Sequence, residues 1–223
     1  MVGTVASPNG LEEFAPSEAA SHCDVVEFRL DSIPAEGLAI ANAMVECPLP
    51  VIATARHPEE GGEGALDPDA RATLLVDAMP HVDCVDIEVQ SLSDLKHVLT
   101  RAQDAGTMVL ASFHDFERTP SSALLESKIE AAMELGADAV KFATRLNNIS
   151  DLCRLISLLE IDGRPPICVM GMGELGQASR LLAAQCGSFL NYGYLTAANA
   201  PGQWRASELK RILAEWQESI PSA

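Results

Sequence analysis

The sequence predicts a single closed (β/α)8 barrel, the TIM-barrel class of α/β folds, as one catalytic domain over residues 1–223. Three observations predict it. Short β-rich runs alternate with longer helical patterns from end to end, which requires a parallel sheet. The alternation repeats eight times at about 28 residues per unit, a length that favours closure over an open doubly wound sheet. The chain is 48% apolar yet only 4% aromatic, so its core is mostly Ala, Val, Leu and Ile, residues suited to helix-covered parallel strands.

The eight strands are expected at 2–6, 24–30, 51–56, 84–89, 108–114, 139–143, 167–171 and 188–192. Helical spacing lies between them. The window 69–79 sets Ala70, Leu74, Leu75 and Ala78 on one side. The window 121–135 does the same with Leu124, Leu125, Ile129, Ala132 and Met133. Helix starts are marked by Asp67 before Pro68, Ser91 and Ser93 before Leu95, Thr119 before Pro120, and Asn148 and Ser150. Gly106 and Gly136 read as helix stops.

A net charge of −17 argues against nucleic acid or an anionic membrane as partner. The first ten residues have no basic n-region, and no apolar run is long enough to span a bilayer, so a cytoplasmic setting is expected. The six cysteines are scattered without a CxxC pair and read as reduced, small hydrophobes. No HExxH motif or Cys/His ligand set is present, so no metal is expected.

Several strands have one apolar face and one that turns polar toward the C-terminal end. On strand two Val26, Phe28 and Leu30 face one way, Glu27 and Arg29 the other. Thr54 and Arg56, then Asp86 and Glu88, then Ser112 and His114 share faces on the next three strands, and Lys141 lies between Val140 and Phe142. The helix-facing side of a barrel must be apolar, so the charged face points inward. Buried charge is costly unless paired, and repeating that cost at one end of several strands marks a catalytic mouth.

Lys141, in GADAVKFAT, is the candidate nucleophile: burial and nearby Arg29, Arg56 and Arg180 would favour the neutral amine, which attacks a carbonyl. Taken alone, an ion pair with Asp86 or Glu88 accounts for it as well. His114 is the candidate proton carrier, with Glu60 and Asp86 available to orient it. Gly61-Gly62 loosens the loop after strand three. GMGELG at 171–176 matches a dinucleotide fingerprint, but the acidic residue due about 20 positions later is replaced by Asn191 and Tyr192, so it reads as a tight βα turn. Ala200-Pro201-Gly202-Gln203 looks like a loop able to cover the mouth.

In order along the chain stand Glu27-Phe-Arg29-Leu-Asp31, Thr54-Ala-Arg56 with Glu60-Gly61-Gly62, Val85-Asp86-Ile87-Glu88, and Ser112-Phe-His114-Asp115-Phe116 with Thr119-Pro120. Ala137-Asp138-Ala-Val-Lys141, Met172-Gly173 with Gly176 and Ser179-Arg180, and Ala200-Pro201-Gly202-Gln203 follow. From Glu27 to Gln203 this series resembles type I 3-dehydroquinate dehydratase, the Schiff-base lyase of the shikimate pathway. The resemblance implies a cytoplasmic homodimer with no cofactor and no metal. It implies that Lys141 forms the imine with 3-dehydroquinate, that His114 is the general acid and base, and that Glu60 and Asp86 tune His114. It further implies that Arg180 binds the substrate carboxylate, that Glu27, Arg29, Arg56 and Gln203 hold hydroxyls, and that Met172 packs on the ring. Asn199 stands where the family often has Ser, so lid contacts are expected to differ, and Ser7, at the end of the first strand, is left without an assigned contact to substrate. A Schiff-base aldolase acting on a sugar phosphate at the glycine turn, and a non-catalytic binding barrel, are the alternative readings.

Overall fold

The computed structural model describes residues 1–33, 37–160, 163–198, 200 and 202–219. Its strands are β1 (Val2–Val5), β2 (Val25–Arg29), β3 (Val51–Thr54), β4 (Cys84–Glu88), β5 (Met108–Asp115), β6 (Ala139–Arg145), β7 (Ile167–Met172) and β8 (Tyr192–Tyr194). All ladders are parallel, in the order β7-β6-β5-β4-β3-β2-β1-β8. The pairing of β8 with β1 curls the sheet into a nearly closed eight-stranded barrel. The remaining seam lies between β7 and β8. There the amide of Phe189 donates to the Ile167 carbonyl at 2.9 Å, and that of Val169 to Ser188 Oγ at 3.1 Å. A serine hydroxyl takes the place of a ladder carbonyl, so the strand expected at 188–192 begins only at Tyr192.

The helices are α1 (Pro8–Glu12), α2 (Pro16–His22), α3 (Gly37–Glu46), α4 (Pro68–Ala78), α5 (Lys96–Ala105), α6 (Ser122–Glu134), α7 (Ile149–Ser157), α8 (Gly176–Gln185) and α9 (Ala206–Ser219). Asp67 caps α4 by accepting from the Ala70 amide at 2.8 Å, and Asn148 caps α7 by accepting from Asp151 at 3.0 Å. Two expected starts differ. Thr119 Oγ1 donates to the Arg145 carbonyl at 2.9 Å at the end of β6, which leaves Ser121 to cap α6. Ser91 lies in a 3-10 turn and Ser93 caps nothing, since α5 begins after Leu95 without a side-chain cap.

The main apolar layer lies between strands and helices, where Val26, Phe28, Val85, Ile87, Val140 and Phe142 are fully buried. Phe28 meets Phe14 edge-to-face at 5.3 Å, and burying such a ring contributes about 2–3 kcal/mol. The lower barrel interior holds Leu110, Ala139 and Cys168. Two helix faces are rotated from expectation. On α4 the buried set is Arg71, Ala72, Leu75 and Ala78, because a buried arginine occupies the inner face and turns Ala70 and Leu74 toward the edge. On α6 Leu124 and Met133 are exposed, leaving Leu125, Ile129 and Ala132 as the stripe. All six cysteines are free, yet Cys153 and Cys186 are exposed and do not serve as core residues. Among the described residues no helix is long and apolar enough to cross a membrane.

Candidate active site

Period-two alternation along parallel strands stacks the inward side chains in rows. Arg29, Thr54 and Asp86 are register partners across β2, β3 and β4. Glu88, Ser112, Lys141 and Cys168 form a second row across β4 to β7. These rows open into a cavity at the C-terminal end of the barrel. Glu27, Arg29, Arg56, Glu60, His114, Lys141, Met172, Arg180 and Gln203 all line it.

Its floor is a buried charge network. Asp86, wholly buried, accepts from Lys141 Nζ and Ser112 Oγ at 2.5 Å each and from Arg56 Nη1 at 2.8 Å. Arg56 Nη1 also reaches Glu88 Oε1 at 2.8 Å. Burial alone would push the Asp86 carboxyl up, but Arg56 and Lys141 hold it well below the usual carboxylate range. Burial likewise works against the Arg56 cation, and Asp86 and Glu88 outweigh it, so that guanidinium stays charged. Lys141 Nζ further lies 3.7 Å from Glu27 Oε1 and 4.6 Å from the centre of the Tyr192 ring. Its nearest charges are therefore carboxylates, where a surround of arginines was expected; the resting amine is an ion-paired group poised at the cavity wall.

Glu27 is fixed by Thr4 Oγ1 at 3.0 Å and Thr54 Oγ1 at 2.9 Å. Arg29 makes a two-pronged pair with Asp31 at 2.9 and 2.7 Å and donates to the Gly61 carbonyl at 3.0 Å, tying β2 to the loop that carries Glu60. Asp31 also accepts from the amides of Arg56 and Glu63. Burial opposes its charge, and Arg29 with those amides keeps its carboxyl low.

His114 and Glu60 form a separate pair. Glu60 Oε2 meets both the His114 amide, at 2.8 Å, and the ring Nδ1, at 2.9 Å. Burial first, then Glu88 and Asp86, push Glu60 up to about 8 against the pull of Arg56 and the His114 amide. Burial, Arg56 and Lys141 push the imidazole well below its ordinary value, with Asp86 opposing. Carboxyl and imidazole share a proton along the Oε2–Nδ1 contact and titrate as one unit, and Nε2 is the ring nitrogen left for a bound molecule. Asp86 was expected to orient His114 alongside Glu60. Its hydrogen bonds go instead to Lys141, Arg56 and Ser112, and it acts on His114 only through its charge.

Across the cavity stands Arg180 of α8, buried, with Nη1 donating to the Tyr192 carbonyl at 2.8 Å and touching Met170 Sδ at 3.5 Å. Its Nε is buried without a partner, and among the described residues no carboxylate pairs with it. Burial lowers it to about 10. Met170 and Met172 of β7 supply an apolar wall. The glycine turn after β7 is packed rather than open. Gly173 sits at φ 87°, and a Cβ on Gly202 would meet the Gly173 carbonyl at 2.5 Å. Gln203, the next residue, lines the cavity.

Ser7 is elsewhere: it caps α1, accepting from the Gly10 amide at 3.0 Å, and Thr4 is the β1 residue that lines the cavity. Asn199 lies outside the described residues. Sequence reasoning gave no role to Asp31, Ser112 or Tyr192. Strand parity did place Ser112 on the inward face beside His114, and Asp31 continues the inward face of Arg29, so the same parity could have found it. Tyr192 could not be placed, because its strand was set too early. Among the described residues no cluster of three or more His, Cys, Asp or Glu is placed to hold a metal ion.

Residues 5–220 match the family described as type I 3-dehydroquinase. The 3-dehydroquinate dehydratase of Methanocella arvoryzae is 33% identical over 210 residues, 94% of this chain and 93% of the relative. That of Methanothrix thermoacetophila is 36% identical over 213 residues, 94% and 89% of the two chains. Among solved structures, the type I 3-dehydroquinate dehydratase of Clostridium difficile superposes with a TM-score of 0.84 at 27% identity, covering 99% of this chain and 92% of the other.

Proposed function

The chain belongs to the type I 3-dehydroquinase family, and we propose that its barrel mouth dehydrates 3-dehydroquinate to 3-dehydroshikimate through an imine on Lys141. The observation that carries this reading is the convergence, in one cavity, of a buried primary amine, a histidine–carboxyl pair and a buried arginine without a counter-ion. An amine facing a ketone forms an imine. A histidine sharing a proton with a carboxyl can take and return protons near neutrality. An unpaired buried guanidinium has most to gain from a carboxylate.

In the proposed sequence, Lys141 passes a proton to His114 and its free amine adds to the C3 carbonyl of the substrate, and His114 returns that proton to the carbinolamine hydroxyl. The carbinolamine loses water and leaves a protonated imine. His114 Nε2 removes a proton from C2, and the electron pair moves to the imine nitrogen as an enamine. The C1–O bond then breaks, the electron pair returns, and His114 delivers its proton to the departing hydroxyl. Water adds to the conjugated imine and frees Lys141, so the balance is one water lost from substrate. Arg180 would hold the carboxylate, Glu27, Arg29, Arg56 and Gln203 the hydroxyls, and Met172 the ring face. The reading includes the third step of the shikimate pathway, one catalytic domain over 1–223, a homodimer and a cytoplasmic setting, all supported by the family resemblance.

Adding 3-dehydroquinate should produce the enone absorbance of the product. Borohydride during turnover should leave a substrate-derived mass on Lys141, and Lys141→Ala should abolish both while retaining part of the substrate binding. Absence of enone and adduct from the wild-type protein would sink the reading. A sugar phosphate trapped on Lys141 in place of dehydroquinate would favour an aldolase.

A further inference from the structure

Among the described residues the largest fully buried side chain is an arginine that does not line the cavity. Arg71 projects from α4, in the outer layer, into the wall between β3 and β4. Its Nε donates to the Ala55 carbonyl at 2.8 Å and its Nη1 to Ser91 Oγ at 3.2 Å, while Nη2 pairs with Glu88 Oε2. Burying an arginine 1% exposed is costly, and a surface helix gains nothing from it that Leu or Met would not supply.

The contacts specify what is gained. Ala55 immediately precedes Arg56, so the bond to its carbonyl fixes the backbone from which Arg56 departs. Glu88, held by Arg71 on one oxygen, uses the other to accept from Arg56 Nη1 at 2.8 Å and the His57 amide at 2.9 Å. Arg71 thus grips Arg56 at both its backbone and its guanidinium end. It also supplies the second positive charge that Glu88 needs. Without it, Arg56 would be the one cation paired with Glu88 among the described residues while also serving Asp86, and both carboxylates are wholly buried.

We propose that Arg71 is a positioning residue for the reaction: from behind the barrel wall it neutralises Glu88 and fixes Arg56, which leaves Arg56 to set Asp86 against Lys141. The assignment rests on the dehydratase reading given above. The charge chain runs Arg71–Glu88–Arg56–Asp86–Lys141, from outer helix to cavity.

The same chain reaches the proton carrier. His114 is faced by Glu60 from the turn after β3, Arg56 just beyond the end of β3, Lys141 on β6, Asp86 on β4 and Arg29 on β2. Glu60 in turn feels Glu88 and, from α6, Lys128. Arg71 itself faces only Glu88 among the ion pairs of the described residues. Removing its charge leaves Glu88 less compensated, so the field at Glu60 and His114 becomes more negative and both hold protons more tightly.

The test compares wild type with Arg71→Met, Arg71→Lys and the double variant Arg71→Met/Glu88→Gln. Turnover of 3-dehydroquinate is followed against pH, and the His114 imidazole is titrated by NMR in the free protein, a measurement that needs no activity. In Arg71→Met, kcat should fall up to ~100-fold with KM little changed, the scale of a misplaced reacting group. The acid limb of kcat/KM and the His114 midpoint should rise together. Arg71→Lys should recover most of the loss, and the double variant should return the His114 midpoint toward wild type. A folded Arg71→Met with wild-type kcat and His114 midpoint overturns the proposal. If that variant does not fold, a folded double variant whose His114 midpoint stays away from the wild-type value overturns it as well. Wild-type protein without turnover defeats the dehydratase reading alone, and the His114 titration still decides the role of Arg71.

Discussion

Replacing Asp86 with Asn tests the charge network at its centre. The two side chains have nearly the same volume, so the perturbation is electrical. The substituted amide could still accept from Arg56 and Ser112 through its one oxygen, but it would turn an N–H donor toward Lys141 Nζ, which now lies 2.5 Å from Asp86 Oδ2. The ammonium, 3% exposed, would keep only Glu27 at 3.7 Å. Removing one partner from a buried ion pair typically costs 3–5 kcal/mol, a large share of the 5–15 kcal/mol stability of an ordinary domain. For a chain of this size that corresponds to a fall of roughly 6–20 °C in Tm. Urea and thermal unfolding of wild type, Asp86→Asn, Lys141→Met and the double variant form a double-mutant cycle. If the cost is the stranded ammonium, the double variant is more stable than Asp86→Asn, with a coupling above about 1 kcal/mol. The pH dependence adds a sign. The Asp86 carboxyl is depressed in the folded protein, so its contribution is fully present above the unfolded value of about 3.9 and is lost as pH falls through the lower folded value. The gap between wild type and Asp86→Asn should therefore stay flat from pH 8 to pH 5. A coupling below ~0.5 kcal/mol, or a gap that closes near neutrality, would refute the reasoning.

Glu60 carries the opposite sign. Its folded value is raised to about 8, so its contribution is present below the unfolded carboxylate range and is lost as pH rises from there through about 8. Glu60→Gln should flatten the decline of Tm between pH 5 and pH 9 and remove a kinetic limb near pH 8; an unchanged slope counts against the shared-proton pair. Arg180→Met should weaken substrate binding about 100-fold, in line with truncating a buried charge pair, while raising the stability of the free protein because a buried cation without a carboxylate is removed. Isothermal calorimetry and unfolding curves read the two effects separately, and a variant that binds normally excludes Arg180 as the anion site.

The barrel and the inner face of its mouth were legible because both follow from period two. Once Val26, Phe28 and Leu30 are assigned to the helices, Glu27 and Arg29 have nowhere to point but inward, and the same parity carries Asp86, Ser112 and Lys141. What parity does not specify is which inward groups meet. Asp86 and Glu60 looked equally able to serve His114. The barrel stagger brings Asp86 under Lys141, and the 3-10 turn at Pro58–Glu60 swings Glu60 over to β5. Arg71 was hidden for another reason. Apolar periodicity treats an arginine on a helix as a solvent residue, so the reading placed Ala70 and Leu74 inside; only the buried acceptors Ala55, Glu88 and Ser91, from other elements, turn Arg71 inward. Strand eight failed because Ser188 makes its bond with a side chain, which no backbone pattern encodes.

Four cations line the cavity, and they are not equivalent toward an incoming anion. Arg29, Arg56 and Lys141 each have a carboxylate within 2.8 Å, so a second carboxylate would meet a charge already neutralised and would have to displace its partner. Arg180 has carbonyl and thioether contacts and a buried Nε without a partner. A buried cation lacking a counter-ion is held at a cost, and a ligand carboxylate is the group that relieves it. In the proposed reaction this asymmetry orients the substrate: the carboxylate end is drawn to α8 and β8, so the ring ketone faces Lys141 on β6 and the C2 hydrogen faces His114 on β5. Were Arg180 paired like the others, the ring could bind in either sense and the amine would meet a hydroxyl as often as a ketone. In that reaction the unpaired arginine would select which carbon the lysine attacks.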